Sequence, residues 1–146
     1  MILIADSGST KCAWAICTSD GTILSIQKTS GFNPKYSSFD NITSELNSSK
    51  LNSIKTEVKE VYFYGAGCGV DSSVTRMKKA FEKIFTNAQF TIKEDTYAAV
   101  YSVVDFNQPS IVCILGTGSN CTYFDGNDIE QRITSLGYLL MDQARG

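Results

Sequence analysis

Two short stretches, Asp6-Ser7-Gly8-Ser9-Thr10-Lys11 and Gly116-Thr117-Gly118-Ser119-Asn120, follow one pattern. In each, an apolar strand leads into a turn of glycine and hydroxyl residues, and a second strand follows. Such turns suit the phosphate tail of a nucleotide, because glycine lets backbone N–H groups approach an anion and Ser or Thr hydroxyls add donors. One such turn is typical of an ordinary hairpin, whereas two in equivalent positions favour phosphate binding. Asp6 ends the first strand, where its carboxylate could hold Mg²⁺ directly or through water.

The composition narrows the classes of function. The chain has 146 residues, 42% of them hydrophobic, which is enough for a domain of ordinary size with a buried core. The net charge is −2 and no cluster of basic residues stands out, so a small-molecule partner is favoured over nucleic acid. Because the chain contains no histidine, Ser-His-Asp and Cys-His catalysis and His-containing zinc sites are excluded. Carboxylates must therefore carry any acid–base chemistry.

The five cysteines are odd in number and form no Cys-x-x-Cys pair, which argues against a disulfide framework or a zinc ribbon. We expect reduced and mostly buried thiols, with Cys68 as the one partly exposed thiol. The N-terminus has no signal-peptide pattern, and no apolar run reaches the length of a membrane span. We therefore expect a cytoplasmic protein without a membrane partner.

The first part of the chain predicts an antiparallel meander followed by a helix. Apolar stretches at 2–5, 12–18 and 22–28 predict three strands, with Ser19-Asp20-Gly21 as a hairpin turn. Gly31-Phe32-Asn33-Pro34 interrupts this pattern. The helix that follows has an apolar spacing of Phe39, Ile42 and Leu46, with Ser37 or Ser38 as its N-cap.

Helices and strands then alternate. A strand at 61–64 leads into the turn 65–69, and Asp71 or Ser72 is predicted to cap a helix. The apolar stripe of this helix is Val74, Met77, Phe81, Ile84 and Phe85. A strand at 89–93 precedes a helix that begins at Asp95, contains Ala98, Ala99, Val103 and Val104, and ends before Asn107. This alternation indicates that parallel strands are added to the sheet.

From Ile111 the opening pattern begins again, with strands at 111–115, 121–124 and about 129–134. The self-similarity suggests a duplicated domain whose second copy has been started. We therefore predict a first domain over 1–108 and the beginning of a second over 109–146.

Three further positions are candidate site residues, each with a simpler structural interpretation. Asp95 could merely stabilise the first turn of its helix. At the carboxyl end of a strand in an open α/β sheet, however, it would lie where such folds bind ligands and could accept a proton. Asn33 could be a turn residue that tolerates unusual backbone angles, and Gly67 could be part of a tight exit from a strand.

The sequence motifs of this chain resemble those of the actin-like ATPase superfamily, which includes hexokinases and Hsp70. Within it, the chain looks like the N-acetylglucosamine kinase and BadF/BadG/BcrA/BcrD ATPase families over its whole length. Residues 6–11 match the D-x-G-x-T-K/R phosphate-1 turn, and residues 116–120 are similar to the specific G-T-G-S-N phosphate-2 turn. The resemblance implies an α/β, ribonuclease H-like lobe. Its five-stranded mixed sheet would have the order 3-2-1-4-5 with flanking helices, followed by the opening β-meander of a second similar lobe.

The resemblance also implies ATP and Mg²⁺ as cofactors and a sugar as substrate. Asp6 would position Mg²⁺, Asp95 would be the general base for the sugar 6-hydroxyl, and Asn33 and Gly67 would lie near the sugar. The implied nucleotide-binding residues are Gly8, Ser9, Thr10, Lys11, Gly116, Thr117, Gly118 and Ser119. Gly137 and Tyr138 match part of a second sugar motif, whose remaining positions differ at Leu136, Met141, Gln143, Ala144 and Arg145.

Three functions follow from this resemblance. The first is an ATP-dependent kinase of the N-acetylglucosamine type, acting on an amino-sugar hydroxyl. The second is a BadF-type activator that couples ATP hydrolysis to electron transfer through a shared [4Fe–4S] cluster, with Cys68 and Cys113 or Cys121 as conceivable ligands. The third is a truncated, inactive lobe, since family members continue well beyond this length. Uncovered sheet edges and apolar surface would favour a homodimer.

Overall fold

The computed structural model describes residues 1–115 and 119–130. The chain forms two compact units, Met1–Thr96 and a second that begins at Tyr97. Each unit is built on one β-sheet. The division into domains at residue 108 stays a prediction.

The sheet of the first unit has five strands in the order β3-β2-β1-β4-β5. These strands are β1 (Ile2–Ser7), β2 (Lys11–Cys17), β3 (Ile23–Ser30), β4 (Glu60–Gly65) and β5 (Gln89–Lys93). The first three pair antiparallel, whereas β4 runs parallel to β1 and β5 runs parallel to β4. The predicted strand order is confirmed, as are the opening meander and the parallel additions.

One face of this sheet carries the core. Alternation along β1 buries Leu3, Ala5 and Ser7 and turns the intervening residues outward. Trp14 of β2 lies fully buried among three phenylalanine rings, with centroid distances of 6.0–6.2 Å to Phe32, Phe63 and Phe81. The contacts with Phe32 and Phe81 are edge-to-face, and the contact with Phe63 is tilted. Aromatic pairs contribute roughly 0.5–1.5 kcal/mol each beyond the burial of area.

The helices α1 (Phe39–Ser48) and α2 (Asp71–Glu82) bury apolar residues in this same core. Ser38 caps α1 as predicted, because its hydroxyl accepts a hydrogen bond from Asn41 N at 3.1 Å. The predicted cap of α2 is wrong: Val70 occupies that position without a side-chain hydrogen bond, and Asp71 is the first helical residue. A 3₁₀ helix at Lys50–Ile54 has no counterpart in the sequence prediction.

The second unit contains the antiparallel strands β6 (Ser110–Leu115), β7 (Ser119–Phe124) and β8 (Ile129–Glu130), in that order. The helix α3 (Asp95–Tyr101) contains the boundary between the units and is shorter than predicted. Val103, expected on this helix, lies beyond its end and is 68% exposed. The remainder of the strand predicted at 129–134 lies outside the described residues. No helix in the described part of the chain is both long and apolar enough to cross a membrane.

Candidate functional site

The parallel strands of the first unit end at one edge of the sheet. Ser7 of β1 pairs with Gly65 of β4, and Tyr64 of β4 pairs with Lys93 of β5. The segments that follow these three strands therefore leave the sheet side by side. Ligands in open α/β sheets bind at such carboxyl ends. This edge contains the phosphate-1 turn, the loop 66–69 and the pair Glu94-Asp95.

The phosphate-1 turn connects β1 to β2, and its candidate ligand residues face solvent. Asp6, Gly8, Ser9, Thr10 and Lys11 are all exposed. Because Asp6 alternates with the buried Ala5 and Ser7, its carboxylate is turned away from the core. The predicted nucleotide-binding residues of this turn are thus accessible to a ligand.

Ser7 supports this turn from the inside, and the sequence prediction missed this role. Its buried hydroxyl accepts a hydrogen bond from Phe32 N at 2.9 Å and donates to the Gly8 carbonyl oxygen at 3.3 Å. Its carbonyl oxygen accepts from Ala66 N at 2.8 Å. Ser7 therefore ties the phosphate-1 turn to the segments after β3 and β4.

Gly31 is a second supporting residue that sequence reasoning did not identify. A Cβ atom at this position would lie 2.6 Å from the carbonyl carbon of Ser9 and 2.7 Å from the nitrogen of Thr10, and it would also overlap the Gly8 carbonyl oxygen. Real Cβ atoms do not approach backbone atoms this closely. Gly31 therefore allows the chain after β3 to pack directly against the turn.

Asn33 links the turn to the loop after β4. The residue is 6% exposed, and its Nδ2 group donates to Ser9 Oγ at 3.2 Å while Oδ1 accepts from Lys35 N at 3.0 Å. Gly67 has a positive φ of 82°, and a Cβ atom there would lie 2.6 Å from Asn33 Oδ1. The structure thus brings Asn33, Gly67 and Ser9 together, although whether they bind a sugar stays a prediction.

Arg76 of α2 holds the segment after Asn33. Its Nη1 atom donates to the carbonyl oxygen of Pro34 at 2.9 Å, and its Nη2 atom donates to that of Ser37 at 3.1 Å. The guanidinium group therefore fixes the exit from the Gly-Phe-Asn-Pro turn.

Asp95 and Glu94 add partly buried carboxylates to this edge. Burial raises the pKa of Asp95, and the negative charge of Asp6 raises it further, against a hydrogen bond from Thr96 N to Oδ1 at 3.1 Å. Burial and the charge of Asp95 likewise raise the pKa of Glu94, while Lys35 acts in the opposite direction. A carboxylate with a raised pKa is a stronger base, which suits proton abstraction from a hydroxyl group.

Cys68 lies beside these carboxylates, but its predicted exposure is wrong. The side chain is 3% exposed, and burial, with the charges of Asp95 and Glu94, raises the pKa of its thiol to about 12. Cys68 N donates to the Gly65 carbonyl oxygen at 3.0 Å, and the side chain belongs to the buried hydrophobic core. Cys68 is therefore a poor nucleophile at neutral pH.

The second unit contributes the strands on either side of the phosphate-2 turn. Residues 116–118 of this turn, the side chain of Ser119, and both Gly137 and Tyr138 lie outside what the structure describes. Asn120 Oδ1 accepts a hydrogen bond from the buried Thr122 hydroxyl at 3.1 Å. The nucleotide and sugar roles of the undescribed positions stay predictions.

Within residues 1–115 and 119–130, no group of three or more cysteine, aspartate or glutamate side chains could hold a metal ion. The expected burial of the thiols holds for Cys12 and Cys17, whereas Cys113 is exposed and Cys121 is partly exposed. The iron–sulfur alternative stays a prediction.

No protein-family model and no curated protein sequence matches the chain. Solved structures do match. The chain is similar to a protein from Porphyromonas gingivalis provisionally assigned as an N-acetylglucosamine kinase, with 34% identity and a TM-score of 0.81 over 97% of this chain and 50% of that one.

Two more distant structures share the fold. A ROK family glucokinase from Streptomyces griseus, solved with glucose and AMPPNP, is 19% identical with a TM-score of 0.59, over 92% of this chain and 48% of that one. MreB5 of Spiroplasma citri, bound to ADP, is 11% identical with a TM-score of 0.60, over 94% and 51%. The chain spans about half the length of these proteins. It therefore has the fold shared by actin-like ATPases and sugar kinases.

Proposed function

We propose that this chain forms the first lobe of an ATP-dependent sugar kinase that phosphorylates a hydroxyl group of an amino sugar of the N-acetylglucosamine type. One observation carries the proposal: an exposed glycine and hydroxyl turn and the carboxylates Asp6 and Asp95 lie at the same edge of the sheet. The 34% identity to a protein assigned as an N-acetylglucosamine kinase supports this choice among the functions found on the fold.

The phosphate-1 turn would bind the β- and γ-phosphates of the nucleotide. The hydroxyls of the exposed residues Ser9 and Thr10 offer neutral donors, and the exposed Lys11 adds a positive charge. Ser7, Gly31 and Asn33 hold this turn in place before a ligand arrives. Such preorganisation reduces the cost of ordering the turn on binding.

Asp6 would hold Mg²⁺, directly or through water. Its carboxylate fits this ion, because Mg²⁺ prefers oxygen ligands and commonly takes one or two carboxylates together with water and substrate phosphates. The exposure of Asp6 leaves room for those other ligands. When bound, the ion offsets negative charge on the transferred phosphoryl group.

Asp95 would accept the proton of the attacking sugar hydroxyl. Its raised pKa increases its basicity, and the hydrogen bond from Thr96 N to Oδ1 fixes the orientation of the carboxylate. The hydroxyl oxygen would then attack the terminal phosphorus of ATP while ADP leaves. Asn33 and Gly67 would contact the sugar. Residues 116–119 would bind the remaining phosphates, and Gly137 and Tyr138 would lie near the sugar.

Replacing Asp95 tests the proposal. In a protein that contains this chain and releases ADP when an amino sugar is added, Asp95→Asn should lower kcat by about 10²–10⁴-fold and leave ATP affinity within a factor of a few. Glu94→Gln is the matched control, because it removes the neighbouring carboxylate without removing the proposed base. An unchanged kcat in Asp95→Asn, or an equal loss in Glu94→Gln, would contradict the assignment of the base.

The chain by itself could be a lobe without turnover, since it spans about half the length of the similar kinases. ADP release measured with N-acetylglucosamine, N-acetylmannosamine, glucosamine and glucose distinguishes a lobe without turnover from a lobe that is active by itself. We expect sugar-dependent ADP release from a longer protein that contains the second lobe, and none from the 146-residue chain. Equal turnover by both would show that the first lobe is sufficient.

A further inference from the structure

Cys113 and Cys121 lie directly opposite each other on neighbouring strands. The two residues are register partners in the antiparallel pair β6 and β7. Their Sγ atoms are 3.4 Å apart, and the Cys113 thiol donates to the Cys121 sulfur. Directly opposed residues in an antiparallel pair have Cα atoms about 4.5–5.5 Å apart. This separation lies within the roughly 4.4–6.8 Å that a disulfide spans.

The same two thiols are the accessible ones. Cys113 is exposed and Cys121 is partly exposed, whereas Cys12, Cys17 and Cys68 are between 1% and 3% exposed. A dissolved oxidant would therefore meet Cys113 and Cys121 first. The three buried cysteines form an internal comparison within the same chain.

We propose that Cys113 and Cys121 form a reversible intrachain disulfide when the protein meets a peroxide. In reducing compartments such bonds are commonly transient and regulatory. The two cysteines stand on either side of residues 116–120, so the bond would constrain the strands that lead into and out of this turn. Formation of the bond does not depend on the proposed kinase activity.

The chemistry balances with one peroxide molecule for each pair of thiols. The thiolate of one cysteine attacks a peroxide oxygen, the O–O bond breaks, and a sulfenic acid and one water form. The second thiol then attacks the sulfenic sulfur, the S–O bond breaks, and the S–O oxygen leaves as a second water. Two sulfurs are oxidised and the two peroxide oxygens are reduced. A dithiol such as dithiothreitol reverses the product by thiol–disulfide exchange.

Oxidation should become faster at higher pH. The interaction with the Cys113 thiol raises the pKa of Cys121, and only the thiolate form attacks a peroxide readily. The closeness of the two sulfurs favours closure within one molecule over reaction between molecules.

The test uses the reduced 146-residue chain treated with hydrogen peroxide. The protein is then denatured, its remaining thiols are alkylated, and peptides are mapped by mass spectrometry. We expect one disulfide between the Cys113 and Cys121 peptides, an intact mass lower by two hydrogen atoms before alkylation, and full alkylation of Cys12, Cys17 and Cys68. Dithiothreitol should restore all five alkylation sites.

Controls separate the effect of the fold from that of thiol chemistry. Cys113→Ser and Cys121→Ser should each abolish the intrachain bond, and Cys17→Ala should retain it. Oxidation in denaturant should give mixed pairings. Chains joined mainly by intermolecular disulfides, equal oxidation of the three buried cysteines, or two persistently free thiols would overturn the proposal. Mapping of the unsubstituted chain is decisive by itself, so the test does not depend on the folding of any variant.

Discussion

Gly31 packs against the backbone of Thr10 so closely that a Cβ atom would come within 2.7 Å of the Thr10 nitrogen. Gly31→Ala must therefore push the phosphate-1 turn and the chain after β3 apart. Overpacking of this kind costs about 1–3 kcal/mol. We expect a corresponding loss in the free energy of unfolding, measured by urea denaturation with the fluorescence of Trp14, the single tryptophan.

Gly8→Ala is the matched control for this prediction. A Cβ atom on Gly8 would meet nothing closer than the Lys11 carbonyl oxygen at 3.8 Å. The fold should therefore tolerate this change, and its effect should fall on the proposed nucleotide binding. Equal destabilisation by the two variants would show that the loss in Gly31→Ala does not come from its close contact with the turn.

Asn33→Ala should destabilise the first unit. The change removes the hydrogen bonds to Ser9 Oγ and from Lys35 N at a site that is 6% exposed. Each of these hydrogen bonds contributes about 0.5–1.5 kcal/mol, so we expect a loss of about 1–3 kcal/mol. Urea denaturation again measures the effect.

Asn52→Ala is a suitable comparison for Asn33→Ala. The buried Oδ1 atom of Asn52 has no hydrogen-bond partner among the residues that the structure describes. Removing it should cost less than about 1 kcal/mol, because an unsatisfied buried polar atom is itself unfavourable. A larger loss for Asn52→Ala than for Asn33→Ala would contradict the proposed role of Asn33.

Asp95→Asn should stabilise the fold at neutral pH. Burial and the charge of Asp6 raise the pKa of Asp95 above its ordinary value of 3.8, so the folded chain binds this proton more tightly than the unfolded chain. The favourable contribution of this carboxyl group is complete below its ordinary pKa and is lost as the pH rises through the raised pKa. Thermal unfolding should therefore show a higher Tm for Asp95→Asn at pH 7, and little difference from the parent at acid pH. A lower Tm at pH 7 would contradict the direction of the pKa shift.

The strand β3 should promote self-association. It lies at one end of the five-stranded sheet, and Ile23, Leu24 and Ile26 are 55–61% exposed. Apolar edge strands are templates for pairing with a second chain. We expect a homodimer in light scattering, and Ile26→Lys should shift it toward monomer. Val103→Lys, at an exposed apolar position outside any strand, is the control and should leave the association unchanged.

Local patterns were sufficient to predict the opening meander and the parallel strands, because alternation and turn residues are encoded within a few positions. The strand order came from the resemblance to the actin-like ATPases. Gly21, in the predicted hairpin Ser19-Asp20-Gly21, has a φ of 87° and donates to the Thr18 carbonyl oxygen at 3.1 Å. Ser38 is likewise a local signal, since a cap is read from the residues beside it. The phosphate-1 turn and Asp95 were identified from motifs of the same short range.

The features that the sequence patterns did not predict depend mainly on contacts between residues that are distant in sequence. Ser7 bonds to Phe32 across 25 positions, and Gly31 packs against the turn at 8–10, so neither role is visible in a local pattern. The position of Cys68 in a loop after a strand predicts partial exposure, but its side chain packs in the core with residues distant in sequence. The helix α3 ends at Tyr101 although its small residues continue, because propensity alone does not set the end of a helix.

The hydrogen bond from Arg76 to the Pro34 carbonyl oxygen lets an exposed side chain of α2 hold the loop that contains Asn33. A protein engineer could adjust the position of the Asn33 amide from outside, by changing one solvent-facing side chain of α2. In the proposed kinase, this change would tune selectivity among related sugars while every group proposed to take part in the reaction keeps its identity.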